Sequence, residues 1–151
     1  MAIVSIGDIL DRVAEFEKRL EDYYGSVRDN STDDGARLLT YYLCRHRRHL
    51  EMAMEQLEAV ELEHIRKTKL KHNVELRPDD GQQEESGVPA DIKGEQLLRI
   101  AVQHDTKLID LYKKVLEQPL STEVKTFVES LLRTEERDIV MLKKMVAMGY
   151  F

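Results

Sequence analysis

The sequence predicts an all-α protein, an antiparallel four-helix bundle of two helical hairpins joined by a long crossover connection. First, four stretches place apolar residues three and four positions apart, which is the spacing of one helix face. Second, the 151 residues include only 3 prolines and 7 glycines, so few positions break a helix. Third, a hydrophobic fraction of 42% in a chain of this length is enough for one sizeable core, which predicts a single domain over 1–151.

The first predicted hairpin combines a helix over residues 5–28 with a helix over residues 34–72. Ser5 is the expected N-cap of the first helix because Asp8 follows three residues later, as in a capping box. A short polar turn follows, so the two helices should pack side by side. The apolar face of the second helix continues at helical spacing through Val60.

The second predicted hairpin combines helices over residues 91–118 and 121–148. Pro119 ends the first of these, and Ser121 or Thr122 caps the second. Residues 73–90 are mostly polar and hold two of the three prolines, so they are predicted to be a connection between the hairpins. At about 3.3 Å per extended residue, this connection is long enough to run the length of a bundle.

Ionisable residues interrupt each apolar stripe near its middle. They are Glu17, His46, His49, Asp105, Glu135 and Asp138. Because buried charge needs a counter-charge, the set indicates a metal site, retained or lost. Without a metal, some carboxylates must be protonated or paired with imidazolium ions, and the residues alone leave both interpretations open. His104 adjoins Asp105 but lies about 100° away around the helix, so we expect it at the surface or in an interface.

The two hairpins also repeat one another. Glu17 precedes Tyr24 by seven residues, and Asp105 precedes Tyr112 by the same number. The second helix of each hairpin then carries two ionisable residues three positions apart, which lie on one helix face. These pairs are His46 with His49, and Glu135 with Asp138.

These residues resemble the ferritin-like and rubrerythrin-like di-iron carboxylate superfamily. The spacing of Glu17 and Tyr24 is similar to the Glu-x6-Tyr element of that superfamily's first helix, and the two pairs fall where it has Glu-x-x-His. The chain departs from the pattern in three places. His46 replaces a bridging glutamate, Asp138 replaces a histidine, and Asp105 is shorter than the expected glutamate. The single cysteine also excludes a rubredoxin-type site with four cysteines.

The resemblance implies a metal-binding protein with a divergent carboxylate and histidine site at all six residues. Iron is the implied metal, in a di-iron or mononuclear centre, with zinc or manganese as alternatives. An iron-dependent oxidase or a peroxide-reducing enzyme is the implied activity, and a homodimer is the implied assembly. The alternative is a metal-free helical scaffold or interaction protein that has lost di-iron chemistry.

Bulk properties limit the other partners. The formal net charge of −6 argues against nucleic-acid binding through a basic face. No stretch approaches the roughly 18 uninterrupted apolar residues of a membrane span, and the N-terminus lacks the pattern of a signal peptide. We therefore expect a cytoplasmic protein without membrane or nucleic-acid partners.

Overall fold

The computed structural model describes residues 3–46, 49–76 and 92–149, and the regular elements in these ranges are all helices. They are α1 (Ile6–Asn30), α2 (Asp34–His46), α3 (His49–Glu55), α4 (Ala59–Lys67), α5 (Gly94–Leu116) and α6 (Thr122–Ala147). Extended pairing in the same ranges is confined to an isolated antiparallel bridge between Ser5 and Lys69. The predicted all-α class is confirmed. None of the described helices is long and apolar enough to cross a membrane.

The start of α1 is set by the capping box that the sequence predicts. The Asp8 backbone N–H donates to Ser5 Oγ at 3.2 Å, and the Ser5 N–H donates to Asp8 Oδ2 at 2.9 Å. Two of the four backbone N–H groups that a helix leaves unsatisfied at its start are thereby hydrogen-bonded to side chains. The helix ends at Asn30, two residues beyond the prediction, and the Ser31 N–H closes the last turn on Val27 O.

The single helix predicted over residues 34–72 is wrong. Residues 56–58 are not helical, α4 ends at Lys67, and the rest of the described segment to residue 76 is irregular. A continuous helix of that length would measure about 58 Å, against about 37 Å for α1, so its C-terminal end would extend beyond α1 and could not pack on the core. The break instead lets α4 fold back and bury Ile65, whereas Val60, predicted on the buried face, is 77% exposed.

Helix α4 is held on α1 at close range. The Arg66 guanidinium donates to both carboxylate oxygens of Asp11, at 2.9 and 3.1 Å. Arg66 also packs against Gly7, where a methyl group would lie only 3.0 Å from the Arg66 carbonyl oxygen. Beyond α4, the Ile6 N–H donates to Thr68 O and the Leu70 N–H donates to Val4 O, each at 2.8 Å.

Hydrogen bonds to Asp33 link the start of α5 to the start of α2, and α5 begins later than the sequence predicts. Asp33 Oδ2 accepts from the N–H groups of both Ala36 and Gly94, at 2.9 and 3.0 Å. Helix α5 therefore begins at Gly94 rather than at residue 91, which itself lies outside the described residues. It ends at Leu116, two residues before the predicted end. As predicted, Ser121 caps α6 by accepting from the Val124 N–H at 3.4 Å.

The apolar core of the described residues divides into two clusters, one toward each end of α1. The first contains Val13 of α1 together with Leu50, Ile65, Leu108 and Leu131 from the other helices. The second contains Leu20, Leu39, Leu98, Ala101 and Leu142. Along α1, α5 and α6 the buried carboxylates Glu17, Asp105 and Glu135 fall between residues of the first cluster and residues of the second. The polar positions therefore separate two apolar halves.

Candidate metal centre

Three of the predicted site residues come together between α3 and α6. His49 Nδ1 lies 3.2 Å from Asp138 Oδ2 and 3.8 Å from Glu135 Oε1. One possible ligand atom from each of the three residues lies within 4.8 Å of the other two. Residues on two different helices therefore present one imidazole nitrogen and two carboxylate groups to a shared point.

The spacing of the residues along α6 explains why its two carboxylates lie together. Glu135 and Asp138 are three positions apart, so their side chains lie on the same face of a long helix. On α3, the residue after His49 is Leu50, which is 2% exposed, so this part of the helix faces the core. Each of the two helices thus supplies a ligand position from a backbone that its apolar residues hold in place.

The site is closed on one side and reachable on the other. Glu135 is 3% exposed, whereas the side chains of His49 and Asp138 are each 17% exposed. The buried Oε2 atom of Glu135 has no hydrogen-bond partner among the described residues. A buried carboxylate oxygen normally finds a donor, because leaving it without one costs about 1–3 kcal/mol. This orphaned oxygen fits a site in which a cation supplies the missing partner.

The carboxylates determine the protonation of His49. Burial alone would lower the pKa of His49, but the nearby carboxylates of Glu135, Asp138 and Glu17 outweigh it and raise the pKa. Without a metal, the imidazolium form therefore persists to a higher pH than in a free histidine. A metal ion would take the place of that proton, since it binds the neutral imidazole.

Glu17 and Asp105 are buried near this centre, at 8% and 1% exposure, but they are not part of the three-residue group. The pKa of Tyr112 is raised well above its usual value of 10.0, mainly by burial and further by the charges of Glu135 and Glu17. The pKa of Tyr42 is also raised, mainly by burial and further by the charges of Asp138 and Asp105. Two further carboxylates thus act electrostatically on the same region, while two phenols remain protonated beside it.

The sixth predicted ligand, His46, ends α2, and its side chain lies outside the described residues. The structure therefore gathers His49, Glu135 and Asp138 into one ligand group and places Glu17 and Asp105 in its electrostatic surroundings.

The predicted surface position of His104 is wrong. His104 is 4% exposed, and its Nδ1 lies 3.2 Å from the hydroxyl of Tyr24, which is fully buried. The rings of Phe16 and Tyr23 meet the imidazole edge to face, at centroid distances of 6.1 and 6.3 Å. A signal was available in the sequence, because position 104 follows Ala101 by three residues and precedes Leu108 by four, which is the spacing of the buried face.

Comparison with protein-family models, with curated proteins and with solved structures finds no significant match to this chain. The resemblance to ferritin-like proteins therefore stays a prediction that rests on the residues themselves. What the centre can bind follows from its donor atoms. One imidazole nitrogen with carboxylate oxygens suits zinc, iron and manganese, whereas the soft thiolate ligands preferred by copper(I) are absent from the group.

Proposed function

We propose that the protein binds a divalent transition-metal ion through His49, Glu135 and Asp138. The observation that carries the proposal is the convergence of three ligand atoms within 4.8 Å around a carboxylate whose buried Oε2 has no hydrogen-bond partner among the described residues. Two helices that are distant in the sequence supply these atoms, so the cluster does not arise from neighbours on one exposed helix face.

Charge balance supports the same proposal. A neutral His49 with ionised Glu135 and Asp138 carries two negative charges, which one divalent cation neutralises. Counting Glu17 and Asp105 as well, four ionised carboxylates would require a second cation or bound protons. One ion per chain at the three-residue group is therefore the minimal site, and a second ion beside Glu17 and Asp105 is the larger, dinuclear version.

The residues also indicate what such a site would do. Three protein ligands leave coordination positions open, so a bound iron ion would supply redox chemistry with oxygen or peroxide. The partial exposure of His49 and Asp138 gives small molecules a route to the centre, while Glu135 closes its inner side. Tyr112, which is 2% exposed with a raised pKa, remains a neutral phenol beside the buried carboxylates. An oxidase or peroxide-reducing activity is the function we propose for the iron-loaded protein.

The proposed architecture is the ferritin-like arrangement of two hairpins with a long crossover. Two anchors support it. The Arg12 guanidinium donates to Asn73 Oδ1 and Val74 O near the start of α1, whereas Ser31 Oγ, just beyond the end of α1, donates to Ile92 O. Positions 12 and 31 are about 28 Å apart along a helix axis, so the connection between 74 and 92 has to cover roughly that distance. A homodimer remains a prediction, which sedimentation equilibrium would test.

A metal-free scaffold is the second candidate function, and one contact favours it. With Asp138 Oδ2 at 3.2 Å, an imidazolium at His49 already neutralises part of the buried charge. In that case the polar residues would make the helix packing specific without any chemistry, as a buried ion pair can.

Metal analysis separates the two functions. The purified full chain would be incubated anaerobically with Fe(II), and separately with Zn(II) or Mn(II), then desalted and analysed for metal. The metal-binding proposal expects about one ion per chain, or about two for the dinuclear version, and a loss of bound metal in Glu135→Gln and Asp138→Asn. Glu136→Gln is the matched control, because this neighbouring residue on α6 is exposed and should not alter retention. Absence of metal in the wild-type protein would leave the scaffold.

A further inference from the structure

We infer that Met52 and Met141 are the residues that hydrogen peroxide oxidises when iron occupies the site, and that their oxidation protects the ligand His49. The inference rests on the proposed function and deepens it, because it assigns a peroxide-reactive role to two residues beside the ligands. The reaction is an oxygen transfer. The O–O bond of the peroxide breaks, one oxygen is added to the thioether sulfur, which loses two electrons, and the other oxygen leaves as water.

Each of these methionines lies one helical turn from a ligand. Met141 follows Asp138 by three positions on α6, and Met52 follows His49 by three positions on α3. Residues at this spacing are neighbours on a helix surface, with Cβ atoms about 5–6 Å apart. The side chains of both ligands are 17% exposed, whereas Met141 is 47% and Met52 is 53% exposed. Each methionine is therefore on the solvent side of the ligand that it follows.

The direction of helical side chains brings both sulfur atoms toward the site. In a helix the Cα–Cβ bond tilts toward the N-terminus, and a long side chain such as methionine leans back over the preceding turn. The preceding turn of Met141 carries Asp138, and the preceding turn of Met52 carries His49. Both thioethers therefore lean toward the partly exposed ligands.

The two methionines also lie on opposite sides of the site. After His49, α3 continues into the first apolar cluster with Leu50. Helix α6 runs the other way, from the first apolar cluster at its start to the second near its end. Met52 therefore lies beside the site toward the first cluster, and Met141 lies beside it toward the second. A peroxide molecule that reaches or leaves the partly exposed side of the site passes between two thioethers.

The chemistry of the side chains explains why oxidation at these positions protects the site. Methionine forms a sulfoxide that reductases convert back to the thioether, so the same residue can react repeatedly. Oxidation of the His49 ring would instead alter the nitrogen ligand of the site. A sulfoxide at Met52 or Met141 leaves all three ligands unchanged.

Met148 provides an internal comparison. It is 65% exposed, more than either of the other two, and it follows the last residue of α6. It lies ten residues beyond Asp138, which is about 15 Å along a helix axis. If exposure alone decides oxidation, Met148 reacts first. If position beside the site decides it, Met52 and Met141 react first.

Peptide mass spectrometry of the full chain measures the sulfoxide at each of these positions. The protein is loaded anaerobically with Fe(II), desalted and treated with hydrogen peroxide, and a parallel sample carries Zn(II), which has no redox chemistry. We expect sulfoxide at Met52 and Met141 to form at least about fivefold faster with iron than with zinc, and the rate at Met148 to differ by less than about twofold.

Bound iron and zinc are measured on the same samples, which separates the ways of failing. If iron is retained but Met148 responds to it as strongly as Met52 and Met141, or if none of the three responds, the inference is overturned and metal binding stands. A response at only one of the two positions overturns the assignment of the other. If zinc is retained without iron, the inference is overturned and metal binding stands. If neither metal is retained, both are overturned.

A double variant tests the protective role. Replacing Met52 and Met141 by leucine conserves side-chain volume, and both positions are exposed, so the fold should be kept. After the same peroxide treatment of the iron-loaded protein, we expect the double variant to show at least about twofold more oxidation of His49 than the wild type. Met148→Leu is the matched control and should behave as the wild type. Equal oxidation of His49 in the double variant and the wild type would refute the protection.

Discussion

Two glycines of α1 offer a matched test of how closely α4 packs on this helix. Gly7 and Gly25 both have negative φ angles and ordinary helical backbone, so alanine is conformationally allowed at either position. Their surroundings differ. A methyl group at Gly7 would lie 3.0 Å from the Arg66 carbonyl oxygen and 3.3 Å from Arg66 Cβ, whereas at Gly25 the nearest atom is a terminal nitrogen of Arg28 at 3.7 Å.

The expected change in unfolding free energy follows from these distances. Replacing a helical glycine by alanine gains about 1 kcal/mol from helix propensity, and at Gly25 nothing opposes the gain. At Gly7 the new methyl group would press on backbone, which costs about 1–3 kcal/mol when neighbouring atoms have to move. Gly25→Ala should therefore stabilise the protein by about 1 kcal/mol, and Gly7→Ala should destabilise it by between about 0 and 2 kcal/mol.

Urea unfolding followed by circular dichroism measures both variants against the wild type. A difference of 1 kcal/mol corresponds to a shift in melting temperature of about 2–4 °C for a chain of this size, so thermal unfolding provides a second readout. If Gly7→Ala stabilises the protein as much as Gly25→Ala, α4 does not pack on α1 at the distance described, and the docking of Arg66 on this helix is refuted.

Three further predictions concern polar contacts. The metal-free protein should lose stability as the pH rises from 6.5, the usual pKa of a histidine, through the raised pKa of His49 in the folded protein. The reason is that the attraction between the His49 imidazolium and the carboxylates is fully present only below that range. Urea unfolding between about pH 6 and about pH 9 should show that the unfolding free energy depends less on pH in His49→Gln than in the wild type. Asp33→Ala should cost about 1–3 kcal/mol, because the capping acceptor of two helix starts, including Gly94, is lost, whereas Asp33→Asn should cost much less in the same assay. Tyr24→Phe should lower stability by about 1–3 kcal/mol in thermal unfolding, since buried His104 loses a hydroxyl partner; a neutral result would contradict their hydrogen bond.

Local signals predicted the features that local chemistry determines. The capping box at Ser5, the cap at Ser121 and the apolar stripes of α1 and α6 all depend on residues within a few positions of one another, and the structure confirms them. The burial of Glu17, Asp105 and Glu135 was also predictable, since each one interrupts an apolar stripe at helical spacing.

Features that depend on distant residues were not predictable in the same way. Ala53, Leu57 and Val60 continue the helical spacing across the break at residues 56–58, so periodicity predicted one long helix. Beyond the break, Ile65 packs in the cluster that contains Val13 of α1, and this contact joins residues far apart in the sequence. Similarly, which two carboxylates join His49 depends on how α3 and α6 pack, and no spacing along either helix determines that choice.

The two anchors of the connection have a consequence for how the chain can change in length. Arg12 holds one end at Val74, and Ser31 with Asp33 holds the other end at Ile92 and Gly94. When both ends of a flexible connection are fixed, lengthening it costs loop-closure entropy of about 0.6 kcal/mol for each doubling. We therefore expect an insertion between residues 74 and 92 to destabilise the helices less than a substitution at Arg12 or Asp33, which releases one end of the segment. Tolerance to insertion in this protein is determined by the few side chains that hold the ends of the segment.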